Sequence, residues 1–158
     1  SCTTRMPRDG EENGEDYYFK TKEEFLLMID QGKFAEWENV HGNYYGTLKS
    51  KLNDSIKNKE TVLLELDVNG TSSIQKLYPS HSYSIFIIPP SIEHLRERLK
   101  NRGSETDETI NKRLKRFDKE MQFKDQFDTL LINDNIQVAI NNFISKLDKI
   151  TKGAEWWL

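Results

Sequence analysis

Thr61-Val62-Leu63-Leu64-Glu65-Leu66-Asp67-Val68 is nearly continuous apolar sequence that ends in acids. Such a run suits a strand covered on both faces of a parallel sheet, with its carboxyl end at a ligand crevice. Residues 84–88 form a second run of this kind, closed by Pro89-Pro90, and residues 128–132 a third. Helical patterns lie between and after them. Residues 72–78 make a short one. Ser91 caps another, with Glu93, Leu95 and Leu99, that runs to Gly103, and Thr106 opens a long charged one toward Phe123. Residues 136–150 close the series, with Ile140, Phe143, Ile144 and Leu147 at helical spacing. Strands alternating with helices predict an α/β fold with a mostly parallel sheet.

Upstream the rhythm changes. Residues 8–16 are polar with two glycines and read as a surface loop. Tyr17-Tyr18-Phe19 is a short aromatic strand. Thr21 is an N-cap with Glu24 as its capping-box partner, and Phe25, Met28 and Ile29 share one face of the helix that follows, which stops near Gly32. Residues 34–40 read as a strand, His41-Gly42-Asn43 as a tight turn and residues 44–47 as the returning strand. Residues 48–58 make a modest amphipathic helix. The hairpin-linked strands of 17–47 therefore read as a small antiparallel lobe inserted in the α/β frame.

The 158 residues suit one domain with a real core. Lys plus Arg is 23 and Asp plus Glu is 26, a balance that argues against a broad nucleic-acid or membrane footprint. The single cysteine, Cys2, excludes an internal disulfide, and three histidines do not suggest a zinc cage. No apolar run approaches a membrane span, so a soluble, reducing compartment, the cytoplasm, is expected.

A small anion would need a local basic cluster. Ser1-Cys2-Thr3-Thr4-Arg5-Met6-Pro7-Arg8 supplies two arginines beside three hydroxyls. The planar fork of Arg suits phosphate. Glu36-Trp37 and Tyr44-Tyr45-Gly46-Thr47 add a carboxylate, two phenols and another hydroxyl. Together these groups match one anion and one polar ring, the parts of a nucleotide.

Read together, the blocks resemble the guanylate kinase family. They are Thr3-Thr4-Arg5-x-Pro7-Arg8-x-Gly10-Glu11, Gly14-x-Asp16-Tyr17-x-Phe19, Phe34-x-Glu36-Trp37, Gly42-Asn43-Tyr44-Tyr45-Gly46-Thr47, Leu64-Glu65-Leu66-Asp67-Val68-x-Gly70, Ile85-Phe86-Ile87-x-Pro89-Pro90-Ser91, and Arg98-x-x-x-Arg102-Gly103 with Arg113. They stand in the family's order, up to about Asp134. The resemblance implies a P-loop nucleoside-monophosphate-kinase-like parallel sheet flanked by helices, in one domain over 1–158. Within it, 17–47 would be the GMP-binding lobe, 48–98 and 128–152 the core, and 99–124 the lid region. The family's glycine-rich phosphate loop is expected upstream of Ser1, with the first strand and first helix. No Gly-x-x-x-x-Gly-Lys-Ser/Thr occurs in the 158 residues, so this chain by itself is expected to be inactive and poorly stable.

The activity implied is ATP-dependent phosphorylation of GMP to GDP with Mg²⁺. Guanine presents two adjacent donors and a carbonyl acceptor. Glu36 matches the donors and Thr47 the carbonyl, while Glu65, where the family often has aspartate, takes a second donor. Adjacent strand residues point to opposite faces, so at most one of Tyr44 and Tyr45 faces the nucleotide. The resemblance selects Tyr45, with Ser1, Arg5, Arg8 and Tyr17, for the monophosphate. Arg98, Arg102 and Arg113 resemble the lid arginines that neutralise charge on the phosphoryl group in flight. Asp67 resembles a Walker-B acid for magnesium, and Asn133-Asp134 a support for the donor base. Plainer readings exist: a solvated basic face for the three arginines, paired with Glu97 and Asp107, and a turn-capping carboxylate for Asp67. The alternative function is a non-catalytic guanylate kinase-like module of a scaffold protein, with a protein partner in the nucleotide lobe. The tail with Trp156-Trp157 has no assigned role.

Overall fold

Thr21 ends an extended segment and starts the first long helix, and the reason is local. Its hydroxyl accepts from the Glu24 backbone N–H at 3.1 Å, while the Glu24 carboxylate accepts from the Thr21 N–H at 2.9 Å. This reciprocal pair satisfies two donors that a helix start otherwise leaves unbonded. The computed structural model describes residues 1–40, 42–101 and 106–152. His41, Arg102, Gly103 and the Trp156-Trp157 tail lie outside the described residues.

The elements in order are β1 (Cys2–Thr3), β2 (Tyr18–Phe19), α1 (Lys22–Asp30), β3 (Phe34–Val40), β4 (Asn43–Leu48), α2 (Lys49–Lys57), α3 (Val68–Leu77), β5 (Ile85–Ile88), α4 (Ile92–Asn101), α5 (Asp107–Glu120), a 3₁₀ segment (Met121–Gln126), β6 (Thr129–Ile132) and α6 (Ile136–Lys152). They fall into two compact units, one over Ser1–Ser82 and one from Tyr83 onward. Among the described residues no helix is long and apolar enough to cross a membrane.

The first unit holds a four-stranded sheet in the order β2-β1-β4-β3. β3 and β4 form the antiparallel hairpin the sequence predicts, with Val40 opposite Asn43. The connection is two residues long, and Gly42, at φ +88°, takes a left-handed conformation that suits glycine. β1 is added to the other edge of β4, antiparallel to it and parallel to β2. Its two residues carry no periodic signal, so sequence reading misses it. The hydroxyls of Thr3 and Thr4 hold it in place: Thr3 donates to the Tyr44 carbonyl at 2.9 Å, and Thr4 accepts from the Tyr44 N–H at 2.9 Å. On one side of the sheet Cys2, Phe25 and Phe34 form a core with Tyr18, Met28, Ile29, Tyr44 and Leu48 around it. Phe25 of α1 stacks on Phe34 at 4.4 Å and on Tyr44 at 5.5 Å between ring centroids. Ala35, Leu52 and Ile74 centre a second core, against which Leu64, Leu66 and Tyr78 pack.

The second unit is built on a parallel pair, β5 and β6, with Ile85 opposite Thr129 and Ile88 opposite Ile132. α4 and α5 provide the long crossover that a parallel pair needs, and they meet through Leu99, Ile110 and Leu114. Asp128 fixes the start of the pair: its carboxylate accepts from both the N–H and the hydroxyl of Ser84 at 2.7 Å. The mixed α/β class and the parallel pairing are as the sequence predicts.

Three expectations are corrected. Residues 61–67 form no strand, although their apolar run was the strongest strand signal in the chain. A strand exists only through a ladder partner, and none of the described strands pairs with this segment. Leu64 and Leu66 still turn inward, while Val62 and Leu63 stay exposed. The helix read at 72–78 begins earlier, at Val68, because Asp67 caps it: Asp67 Oδ1 accepts from the Gly70 N–H at 2.8 Å. In α6 the predicted face is covered only in part: Phe143 and Leu147 are half-buried. Ala139 is buried, whereas Ile140 and Ile144 are exposed.

Gly46 gives a test of the hairpin's packing. A Cβ there would lie 2.8 Å from Phe34 Cδ1, 3.1 Å from Phe25 Cζ and 3.1 Å from the Glu36 carbonyl oxygen. Gly46→Ala is expected to destabilise the chain by about 1–3 kcal/mol, the range for overpacking a filled core. Chemical denaturation checks this. An unchanged midpoint would mean that Phe25 and Phe34 give way freely.

Candidate functional site

The candidate site begins at an irregularity in β3. Phe34 stands opposite Leu48, yet Glu36 stands opposite Thr47, so Ala35 is one residue too many on its strand. Such a bulge changes which side the following residues face. Phe34 accordingly joins the core beneath α1, while Ala35 packs with Ile74 of α3. The Glu36 carboxylate also reaches α3: its Oε2 lies 3.3 Å from where a Cβ on Gly70 would stand, and Asp67 Oδ1 lies 3.4 Å from the same point. Gly70 is thus the gap that admits Glu36 to the first turn of α3.

Tyr45 and Thr47 are two residues apart in β4 and share a face. Thr47 is buried and its hydroxyl donates to Glu36 Oε1 at 2.5 Å. Tyr45 packs edge-on against Tyr17 at 6.2 Å between centroids. Tyr44 points the other way, onto Phe25. The strand places the two tyrosines on opposite faces, as alternation demands.

Arg5 stands over Tyr17 and Phe19, 5.7 and 5.9 Å from their ring centroids. Glu11 grips it with two bonds, Nη1 to Oε2 at 2.9 Å and Nη2 to Oε1 at 2.8 Å. The Glu11 carboxylate also accepts from the Arg8 backbone N–H at 2.7 Å. Hydrogen bonding to Glu11 holds the Arg5 guanidinium above its ordinary pKa, helped by the Tyr45 phenol. The bond from Arg5 likewise holds Glu11 below the usual carboxylate value. Glu11 is absent from the predicted site residues, although its three-residue spacing from Arg8 in a glycine-bearing loop is a signal of a local carboxylate–backbone bond.

The predicted residues therefore fall into groups. Arg5, Tyr17 and Tyr45 come together. Glu36, Thr47 and Asp67 form a second group around Gly70. Ser1 and Arg8 are exposed, Ser1 giving its carbonyl to the Tyr18 N–H. Glu65 is exposed between the inward-turned Leu64 and Leu66. In the second unit Arg98 donates through Nη1 to the Asn133 carbonyl and through Nη2 to the Asp134 carbonyl, both at 2.7 Å, and so ties down the β6–α6 loop. Arg113 is exposed on α5, and Arg102 lies outside the described residues.

Burial pushes the Glu36 carboxyl above its ordinary pKa. Bonds from Thr47 pull the other way, and the nearby Asp67 charge adds to the upward push. A half-buried carboxylate whose best partner is one hydroxyl suits a ligand that brings further donors.

Residues 1–150 match the family model described as guanylate kinase. The chain belongs to the guanylate kinase family. The guanylate kinase of Thermotoga maritima is 42% identical over 145 residues, covering 92% of this chain and 70% of the relative. That of Chlorobium chlorochromatii is 45% identical over 142 residues, covering 90% and 75%. The crystal structure of guanylate kinase from Anaplasma phagocytophilum superposes with a TM-score of 0.75 at 32% identity, covering 95% of this chain and 73% of that one. Guanylate kinases are phosphotransferases, and an enzyme's role follows for this chain by resemblance.

The Glu36 environment sets a pH dependence. Its pKa is raised in the fold, so the stability linked to its neutral form is present in acid and is lost as pH rises through the folded pKa. A ligand that needs the carboxylate should conversely bind less well as pH falls, starting above the range where an ordinary glutamate titrates. Calorimetric titrations with guanosine, which carries no titrating phosphate, from neutral to mildly acidic pH should show this falling limb, and Glu36→Gln should remove it. A limb that persists in Glu36→Gln would assign the titration to another group.

Proposed function

We propose that this chain binds GMP in the lobe formed by β1–β4 and α3, for phosphoryl transfer from ATP to give GDP. The carrying observation is the Glu36–Thr47 pair, a half-buried carboxylate and a buried hydroxyl joined at 2.5 Å across one rung of the hairpin. Guanine offers two adjacent N–H donors that a carboxylate accepts together, and a carbonyl that a hydroxyl can serve. Adenine has a lone pair where guanine has its ring N–H, so the same carboxylate would repel it and stay unsatisfied. Sites built on such bonds discriminate by roughly 10⁴-fold or more. Glu65 is proposed for a second base donor. The monophosphate falls to Arg5, Tyr17 and Tyr45, with Ser1 and Arg8. Arg5 is already oriented, and two phenols beside it add neutral donors.

Residues 17–47 would then be the acceptor lobe, 48–98 and 128–152 the core, and 99–124 the lid, all within one guanylate kinase domain over 1–158. Arg98, Arg102 and Arg113 are proposed to neutralise charge on the transferring group. Arg98 has two carbonyl partners, which leaves three of its five N–H donors for that purpose. Asp67 is the residue we assign to Mg²⁺. Its bond to the Gly70 N–H orients the carboxylate, and oxygen donors are what this ion prefers. Magnesium keeps several waters and is usually held by one or two carboxylates plus nucleotide phosphates, so a single acid is a fitting share. When bound it would supply charge neutralisation across the donor phosphates. The proposed location is the cytoplasm. The scaffold-module alternative draws no support from the relatives above, all of which are guanylate kinases.

Two expectations test this reading. Calorimetry should show GMP bound in strong preference to AMP, with the preference collapsing in Glu36→Gln; equal affinities in the wild type would defeat the guanine assignment. Arg5→Ala should weaken GMP roughly 10- to 100-fold, as for one lost charge-assisted contact, and leave guanosine nearly unchanged. Parallel losses for both ligands would make Arg5 structural.

A further inference from the structure

Glu11 puts a negative charge beside the arginine that would hold the phosphate, and electrostatics alone would call that a defect. The geometry gives it a purpose. An arginine has five N–H donors. On Arg5, one Nη1 hydrogen goes to Glu11 Oε2 and the other to the Met6 carbonyl at 2.8 Å, while one Nη2 hydrogen goes to Glu11 Oε1. The Tyr45 phenol also interacts with this guanidinium; the two hydrogens not given to Glu11 or Met6 are the one on Nε and the second on Nη2. They lie along one side of the guanidinium plane and form a second fork, the other edge on which this group meets two oxygens at once. Glu11 and Met6 thus fill the end of the plane and take neither hydrogen of its side.

The rest of the surroundings fixes that plane. Tyr17 and Phe19 lie against it at 5.7 and 5.9 Å. Both charged side chains are mostly covered, with 16% of Arg5 and 18% of Glu11 exposed. Glu11 is itself held by the Arg8 N–H, so the clamp is anchored to backbone and does not simply follow the arginine. Freed of Glu11, Arg5 would keep its charge but regain many rotamers, and binding would then have to order it.

We propose that Glu11 is a positioning residue for the acceptor phosphate: it locks the end of Arg5 so that the Nε–Nη2 edge is presented to two phosphate oxygens. This rests on the reading of Arg5 as a contact of the GMP phosphate. Two effects of opposite sign compete in any test. Removing the Glu11 charge relieves repulsion of the phosphate, which favours binding. Releasing the guanidinium removes its preorganisation, which opposes it. Lost preorganisation is expected to outweigh the repulsion, because the fork geometry serves two bonds at once; for metal-ligating groups, loss of the outer partner that orients the ligand lowers affinity roughly 10- to 100-fold.

The test is a double-mutant cycle by calorimetry, with GMP and guanosine titrated into the wild type, Glu11→Gln, Arg5→Ala and the double variant. Glu11→Gln should lower GMP affinity roughly tenfold and leave guanosine unchanged, and it should cause no further loss once Arg5 is alanine. Unchanged or tighter GMP binding in Glu11→Gln would overturn the proposal. So would an equal loss for guanosine, or a loss that persists in the Arg5→Ala background, since each marks a structural effect. A wild type that does not distinguish GMP from guanosine overturns both this and the reading of Arg5 beneath it. A measurement on the wild type stands apart from any folding defect: nitrogen relaxation of Arg5 Nε in the nucleotide-free chain should report a side chain as rigid as the backbone, and a mobile one overturns the clamp.

Discussion

The bulge at Ala35 is the constraint from which the candidate site follows. With a regular ladder, Phe34 and Glu36 would share a face, because side chains alternate with a period of two. One would have to leave the aromatic core, or the other would be buried in it as an unpaired charge. The extra residue separates them. Phe34 stays stacked on Phe25, and Glu36 is delivered opposite Thr47 and against the first turn of α3. A one-residue slip of β4 would undo all of this. Gly46 in the core beneath and Gly70 at the helix start are the two places where a side chain would stand in the way.

The legibility of the sequence followed the range of the forces involved. α1 was readable because its signals are local: Thr21 and Glu24 satisfy each other within one turn, and Phe25, Met28 and Ile29 repeat at helical spacing. The β3–β4 hairpin was readable for the same reason, through Gly42 and the alternation around it. Residues 61–67 failed because apolar content reports a wish to be covered, and a strand needs a neighbour that no local pattern supplies. β1 failed in the opposite sense. Two residues carry no period, but Thr3 and Thr4 find Tyr44 some forty positions away.

The site was legible as chemistry and less so as geometry. The sequence named Arg5, Tyr17 and Tyr45 separately; alternation allowed only one of Tyr44 and Tyr45 to face the site, the family resemblance selected Tyr45, and the structure turns Tyr44 onto Phe25. Glu11 stood in the first of the family-like blocks but received no role, because carboxylates in polar loops are common and only its two bonds to Arg5 set it apart. Asp67 and Arg98, both proposed for the reaction, already serve the frame. The first caps α3 and the second holds the β6–α6 loop through two carbonyls. A charge held in place by its structural bonds needs little reorganisation when a ligand arrives.

The Thr47 proton has a consequence for how selectivity is apportioned. Before any base arrives, this hydroxyl already gives its hydrogen to Glu36. To serve a guanine carbonyl, it must rotate away, and the carboxylate must find replacements at the same moment. Guanine returns two donors for the one withdrawn. A base without them leaves the threonine with no reason to turn, so the closed pair itself acts as a resident competitor. Under the proposed reading, recognition of the base is an exchange of partners. The number of hydrogen bonds changes little, and the decision rests on whether the newcomer can complete both halves of the swap together.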